Sequence, residues 1–261
     1  MPDDVVLYDV ADRIATVTLN RPEARNALSR AVRSRLPKLL EQADADDDVD
    51  VIILTGADPA FCAGLDLKEL GSGEHDVGAA MVDDQRRRGP FPELAKPVIG
   101  AINGVAITGG FELALNCDFL VASDRARFAD THSRVGIQPG WGLTVLLPAA
   151  VGVRRAKELS ATGNFLDAPT ALAWGLVNHV VAHEELLPFC LTLAADIASN
   201  DQAGVRRILQ TYDEGSLVAG EEAWQLEGEV SREWLRSGGG RPEDVEGRRR
   251  AVMARGRQQS G

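Results

Sequence analysis

A chain of 261 residues holds one large domain or one domain with an appendage, with ample length for a sizeable core. Its formal charge of -11 and the lack of a basic face argue against a nucleic-acid partner and against docking on an anionic membrane. No stretch approaches the ~20 apolar residues of a membrane span, and the acidic start Met1-Pro2-Asp3-Asp4 has no signal-peptide core. Three cysteines, Cys62, Cys117 and Cys190, are an odd number without ligand-like spacing, which fits a reducing compartment better than disulfides or a metal site. The expectation is a soluble cytoplasmic protein that holds no metal.

In chain order, Val5 to Val10 and Ile14 to Leu19 read as two strands of a hairpin around Ala11-Asp12-Arg13. A turn-rich loop follows, Asn20-Arg21-Pro22-Glu23-Ala24-Arg25-Asn26. Leu28, Val32, Leu36, Leu39, Leu40 and Ala43 then recur at helical spacing, with Ser29 as the N-cap and Pro37 as an interior bend. Asp44 to Asp48 reads as a solvated acidic loop, and Val51 to Gly56 as a buried-type strand. The segment from Gly71 to Pro90 carries Gly-Ser-Gly and Arg86-Arg87-Arg88 and reads as the mobile part of the chain.

Lys96 to Leu115 is the stretch the rest is organised around. Pro97 can begin a strand, Val98 to Ile102 is a short apolar run, and a glycine loop then opens a helix at Gly109-Gly110 with Glu112 in its first turn. A loop without Cβ atoms admits a ligand to the backbone, and a helix start offers unpaired N–H groups and partial positive charge. Gly104 and Gly109-Gly110 do not have the G-x-G-x-x-G spacing of a dinucleotide site.

Asp118 to Ser123 and Ala126 to Ala129 read as further strands, and the alternation of strands and helices indicates an α/β layout with parallel pairing. Beyond about residue 153 helices dominate. Asp167 caps one that Gly175 stops, Val177 to Val181 is a last strand, and Glu184 to Ser199, Val205 to Tyr212 and Glu221 to Leu235 are helical. Gly238-Gly239-Gly240 reads as a hinge before a basic helix opening at Pro242, whose Arg248-Arg249-Arg250 reads as a solvated face. No internal repeat is visible. His75, His179 and His183 have no spacing that singles them out, and no serine stands where a hydrolytic nucleophile would need it beside a histidine and an acid.

Three blocks carry chemistry: Phe61 to Leu70, the glycine loop ending in Glu112, and Phe128 to Gly142. With Asn20-Arg21-Pro22, Asn26-Ala27-Leu28 and the Gly163 to Val181 region, they resemble the enoyl-CoA hydratase/isomerase (crotonase) family over roughly residues 14 to 181. The resemblance implies a crotonase-like (ClpP/crotonase) spiral of ββα units over residues 1–195 and a C-terminal helical oligomerisation region over 196–261. It implies an acyl-CoA thioester as partner, a homotrimer or hexamer, and no cofactor beyond the coenzyme A of the substrate.

Residue by residue, the resemblance places an oxyanion hole at the backbone N–H groups of Leu65 and Gly109. It assigns CoA contacts to Ala24, Arg25, Ala63, Leu67 and Lys68, and a wall of the acyl pocket to Trp141. Glu112 matches one of the family's two catalytic glutamates. The position of the other holds His132, and Asp130, two residues earlier, would share its face on a strand pleat and is a possible stand-in. The reading is enoyl-CoA hydration by Glu112 and His132. Double-bond isomerisation, another crotonase-type lyase or hydrolase reaction, and weakly catalytic acyl-CoA binding stay open.

Overall fold

The computed structural model describes residues 5–71 and 89–217, with isolated positions between 225 and 257. The hairpin is present: β1 (Val6–Ala11) pairs antiparallel with β2 (Ile14–Leu19), and Asp12 and Arg13 turn the chain with positive φ. Helix α1 (Arg30–Ala45) begins where expected, with the Ser29 hydroxyl accepting the Val32 N–H at 3.3 Å. Its buried face is the periodic set Val32, Leu36, Leu39, Leu40 and Ala43, and Pro37 lies within it.

Next come β3 (Val51–Gly56), β4 (Ala60–Cys62) and α2 (Leu67–Gly71), then β5 (Val98–Ile102), β6 (Val105–Ile107) and α3 (Gly109–Leu115). A third set is β7 (Phe119–Ser123), β8 (Arg127–Ala129) and α4 (His132–Val135). In each triplet the first strand joins a large sheet and the second a small one. With β9 (Leu166–Asp167) and β10 (His179–Val181), the orders are β1-β2-β3-β5-β7-β10 and β4-β6-β8-β9. The parallel pairings β3·β5, β5·β7, β4·β6 and β6·β8 step the ββα unit along the chain as a spiral. The repeat exists in space although the sequence shows none.

The large sheet is apolar on both faces, which is why its strands read as continuous runs. Ile52, Leu54, Val98 and Ile102 face the main core with α1, while Val51, Ile53, Ile99 and Val121 pack under α8 (Leu186–Ala198) through Leu186, Cys190 and Ala194. The remaining helices are α5 (Leu143–Val151), α6 (Val153–Thr162), α7 (Ala168–Trp174) and α9 (Gln202–Leu217). Asp167 caps α7 by accepting the Thr170 N–H at 2.9 Å, and Gly175 ends it with φ 80°. All three cysteines are free and buried.

Two expectations need correction. The stretch between Ile102 and Gly109 is not one glycine loop: Asn103 and Gly104 turn the chain so that Val105–Ile107 forms a strand of the second sheet. The Asp44 to Asp48 run is not wholly a solvated loop, because Asp44 belongs to α1 and its Oδ1 accepts the N–H groups of Ala95 and Lys96, each at 2.9 Å. Residues 72–88 of the Gly71 to Pro90 segment expected to be mobile, His75, the Gly238-Gly239-Gly240 hinge and the Pro242 helix start lie outside the described residues.

Candidate active site

The two glycine-flanked turns meet. Gly64 has φ 86°, and a side chain there would press to 2.7 Å of the Ile107 carbonyl oxygen. Gly110 is held tighter still, since a Cβ on it would stand 2.1 Å from the Cys62 oxygen. Only glycine lets the start of α3 lie flat against β4. The result is proximity: a Cβ on Gly109 would be 3.7 Å from the Leu65 nitrogen, and one on Gly64 would be 3.4 Å from the Gly109 nitrogen.

Each amide is also free to point outward. Leu28 bridges Leu65 in parallel register by donating to the Gly64 oxygen at 2.8 Å and accepting from Asp66 at 3.4 Å. That pattern spends the flanking groups, so the N–H of Leu65 itself faces away from Leu28. Gly109 is the first residue of α3, and the first N–H groups of a helix have no intrahelical acceptor. The loop holding Leu65 is braced by Arg21, whose Nη1 donates to Asp66 Oδ2 at 3.0 Å and to the Ala27 oxygen at 2.7 Å. The Ala63 N–H donates to the Arg25 oxygen at 3.0 Å, which joins the Ala24-Arg25 turn to the Ala63–Lys68 segment.

Glu112, on the first turn of α3, is buried with 1% of its surface exposed. Its Oε1 accepts the N–H of Trp141 at 2.8 Å and of Gly140 at 3.3 Å, so Oε2 is left to face His132 Nε2 at 3.5 Å. On the far side of the ring, Nδ1 lies 2.7 Å from Asp130 Oδ1, which also accepts the His132 backbone N–H at 3.1 Å. The Ser160 side chain further favours the charged form of Asp130. The imidazole is thus clamped between two buried carboxylates.

Its ionisation follows. Burial by itself would lower the His132 pKa, but hydrogen bonds to Asp130 and Glu112 and their charges outweigh it and carry it up to about 9. Burial works likewise against the charged form of Asp130, and its bonds from His132, with the Ser160 side chain, hold it below the usual carboxylate range. Near neutral pH His132 is therefore an imidazolium held against the Asp130 carboxylate, with its Nε2 side turned to Glu112.

Glu112 and His132 therefore meet as the sequence suggests, but Asp130 does so differently. Strand β8 ends at Ala129, Thr131 turns with φ -105° and ψ 14°, and His132 opens α4, so no pleat carries Asp130 and His132 on one face. Asp130 stands behind the imidazole, away from Glu112. Trp141 packs its indole 3.2 Å from where a Gly109 Cβ would be, beside Leu28 Cδ1 at 3.4 Å from the same point. The Gly140 amide and the Ser160 side chain belong to the site without any sequence signal, since both reach it from 28 or more residues away. Among the described residues no group of His, Cys, Asp and Glu is arranged to hold a metal ion.

Known proteins resemble most of the chain. The profile of the enoyl-CoA hydratase/isomerase family matches residues 9–237. A relative named probable enoyl-CoA hydratase 1, peroxisomal, from Arabidopsis thaliana is 44% identical over 203 residues, covering 77% of this chain and 76% of its own. The crystal structure of enoyl-CoA hydratase from Mycobacterium smegmatis superposes with a TM-score of 0.81 at 50% identity, covering 89% of this chain and 99% of that one. That of enoyl-CoA hydratase from Mycobacterium tuberculosis H37Rv gives 0.81 at 49%, covering 90% and 99%. The spiral is the crotonase fold, and the chain is an enzyme of the enoyl-CoA hydratase/isomerase family.

Proposed function

We propose that the protein adds water across the double bond of a 2-enoyl-CoA, with Glu112 as base and the His132 imidazolium as acid. The observation that carries this reading is the buried Glu112–His132–Asp130 array beside two converging amides. Relatives named enoyl-CoA hydratase support the substrate class.

The thioester oxygen lies against the N–H groups of Leu65 and Gly109, which take up the negative charge that grows on it. A water touching both Glu112 Oε2 and His132 Nε2 fits at the apex of a triangle whose base is 3.5 Å and whose other sides are about 2.8 Å. Glu112 takes one proton from that water as its oxygen attacks C3. The electron pair moves through C2 to the thioester oxygen, giving an enolate. His132 Nε2–H then protonates C2, leaving neutral imidazole and a protonated Glu112. Transfer of that proton across the gap to Nε2 restores both groups, so water and enoyl thioester balance against the 3-hydroxyacyl product.

The other contacts follow the resemblance. Ala24 and Arg25 lie on a turn joined by the Ala63 N–H to the segment that holds Ala63, Leu67 and Lys68 on either side of Leu65, which supports coenzyme A as their ligand, with Arg25 and Lys68 exposed for its phosphates. Trp141 narrows the acyl side and favours short or flat acyl groups. The exposed Ile208 and Tyr212 of α9 fit self-association into a trimer, which sedimentation would read. The decisive assay is loss of enoyl-thioester absorbance with purified protein. No turnover on any short-chain, long-chain or aromatic enoyl-CoA, or turnover unaffected by Glu112→Gln, refutes the reading. Double-bond migration without hydration would instead indicate isomerisation by Glu112 alone.

A further inference from the structure

Thr108 immediately precedes the Gly109 amide and has φ 53° and ψ -114°. Residues with a side chain rarely enter that region, and for a β-branched one it is a genuine outlier. Glycine would adopt it without strain, and the next two residues are glycines. Something local must therefore hold threonine there.

Four contacts do. The Thr108 N–H donates to the Ala129 oxygen at 2.9 Å, and its carbonyl accepts the Glu112 N–H at 2.9 Å. A Cβ on Gly64 would touch Thr108 Cβ at 3.3 Å, so the side chain packs against the turn that carries Leu65. The hydroxyl meets that of Thr131 at 2.5 Å, and Thr131 is buried between Asp130 and His132. Thr108 thus touches both amide-bearing turns and, through one hydroxyl pair, the segment that bears the acid. Deleting the Thr108 side chain would keep the two backbone bonds and remove both side-chain contacts, the packing against Gly64 and the hydroxyl link to Thr131.

We propose that Thr108 is a positioning residue: its strained backbone aims the Gly109 N–H, and its hydroxyl, bonded to Thr131, fixes that amide relative to His132. The part of this that concerns turnover rests on the hydratase reading, and the part that concerns carbonyl polarisation does not.

The test compares Thr108→Gly, Thr108→Ser, Thr131→Val and the Thr108→Gly/Thr131→Val double variant in the full chain. With a short-chain 2-enoyl-CoA, Thr108→Gly and Thr131→Val should each lower kcat about tenfold with KM within about twofold, a misaimed donor costing less than a missing one. The double variant should be no slower than Thr108→Gly alone, because the hydroxyl link that Thr131→Val cuts is already lost with the Thr108 side chain. Thr108→Ser, which keeps the hydroxyl, should stay near wild type. Thr108→Gly should also melt no lower than wild type, since it releases strain. With a saturated short-chain acyl-CoA bound, the infrared stretch of the thioester carbonyl should move to lower frequency in wild type and less so in Thr108→Gly.

Wild-type kcat in Thr108→Gly, losses that multiply in the double variant, or a melting midpoint several degrees below wild type would each overturn the proposal. If the wild type hydrates no enoyl-CoA, the hydratase reading fails alone. The carbonyl stretch and the melting comparison then still decide for or against Thr108.

Discussion

Two histidines in this molecule each lie between hydrogen-bonding partners, and they differ in what surrounds them. His132 stands between Asp130 and Glu112 with side-chain exposures of 4%, 2% and 1%. His183 has the composition of a hydrolytic triad: Nδ1 lies 3.0 Å from Ser123 Oγ and Nε2 3.0 Å from Asp58 Oδ2. The sequence pattern does not reveal this serine, because Ser123, His183 and Asp58 are brought together only by the ends of β7, β10 and β3. Yet Ser123 is fully buried, its Oγ also accepts the Arg125 N–H at 3.0 Å, and the Asp58 side chain is 63% exposed. A nucleophile no substrate can reach, oriented by a wet carboxylate, is a fastener between loops. On the proposed reading, the same residue types do chemistry only where burial makes their charges count and an open face of one of them meets the ligand.

The sharpest way to break this comparison is to remove the base. Glu112→Gln is nearly isosteric and keeps an acceptor for the Trp141 and Gly140 amides, so the fold should persist. Loss of proton abstraction should lower kcat about 10³-fold in the enoyl-thioester assay. A loss below about threefold would make the buried array as inert as the fastener.

Replacing the acid comes next. His132→Gln should cost about 10²-fold in kcat. On the proposed mechanism the imidazolium is the working form, so kcat/KM should hold through neutral pH and fall as His132 loses its proton near about 9. The stability sign is the same. A pKa raised above the unfolded value of about 6.5 contributes stability that is complete below that pH and lost as pH rises through the folded value. Melting midpoints should therefore fall across that alkaline window, and His132→Gln should flatten the fall.

Asp130→Asn should weaken the clamp without emptying it, costing about tenfold and moving the alkaline limb of kcat/KM to lower pH, since the bond to Asp130 is the largest influence raising His132. A rate loss with the limb unmoved would mean that Asp130 acts on packing alone.

Much of the fold is legible in the chain because the large sheet is buried on both faces. Val51 to Gly56 and Val98 to Ile102 could only be interior strands, and Ser29, Asp167 and Gly175 carry their capping chemistry openly. Of the small sheet only β8 is legible, as the Ala126 to Ala129 strand, because β4 and β6 have three residues each and show no period. Helix α5 is hidden by Gly142 at its start and Pro148 within it. Within the site, Glu112 and His132 stand out only through the family resemblance, which matches short motifs in order. Their geometry does not: the Trp141 amide on Glu112 spans 29 residues, and one turn at Thr131 reverses the face expected of Asp130. Local pattern reports local structure, and a catalytic site is built from ends of elements far apart in sequence.

The smallest effect belongs to the fastener. His183→Phe keeps a ring and removes both hydrogen bonds that tie Ser123 to Asp58. Asp58 retains its bond from Asn103 Nδ2 at 3.0 Å and open water, so little is left unsatisfied there. Ser123 retains Asp124 and the Arg125 amide. Two partly exposed bonds of this kind contribute on the order of 1 kcal/mol together, or about 2–4 °C in melting midpoint for a chain of this size. Turnover should change by less than about twofold, and its pH profile should not move, because no atom of this trio reaches the Glu112–His132 gap. A pH profile displaced by His183→Phe would show that the two histidines are coupled through the sheet, and the division between chemistry and fastening would have to be redrawn at β7, whose following strand carries Asp130 at its end.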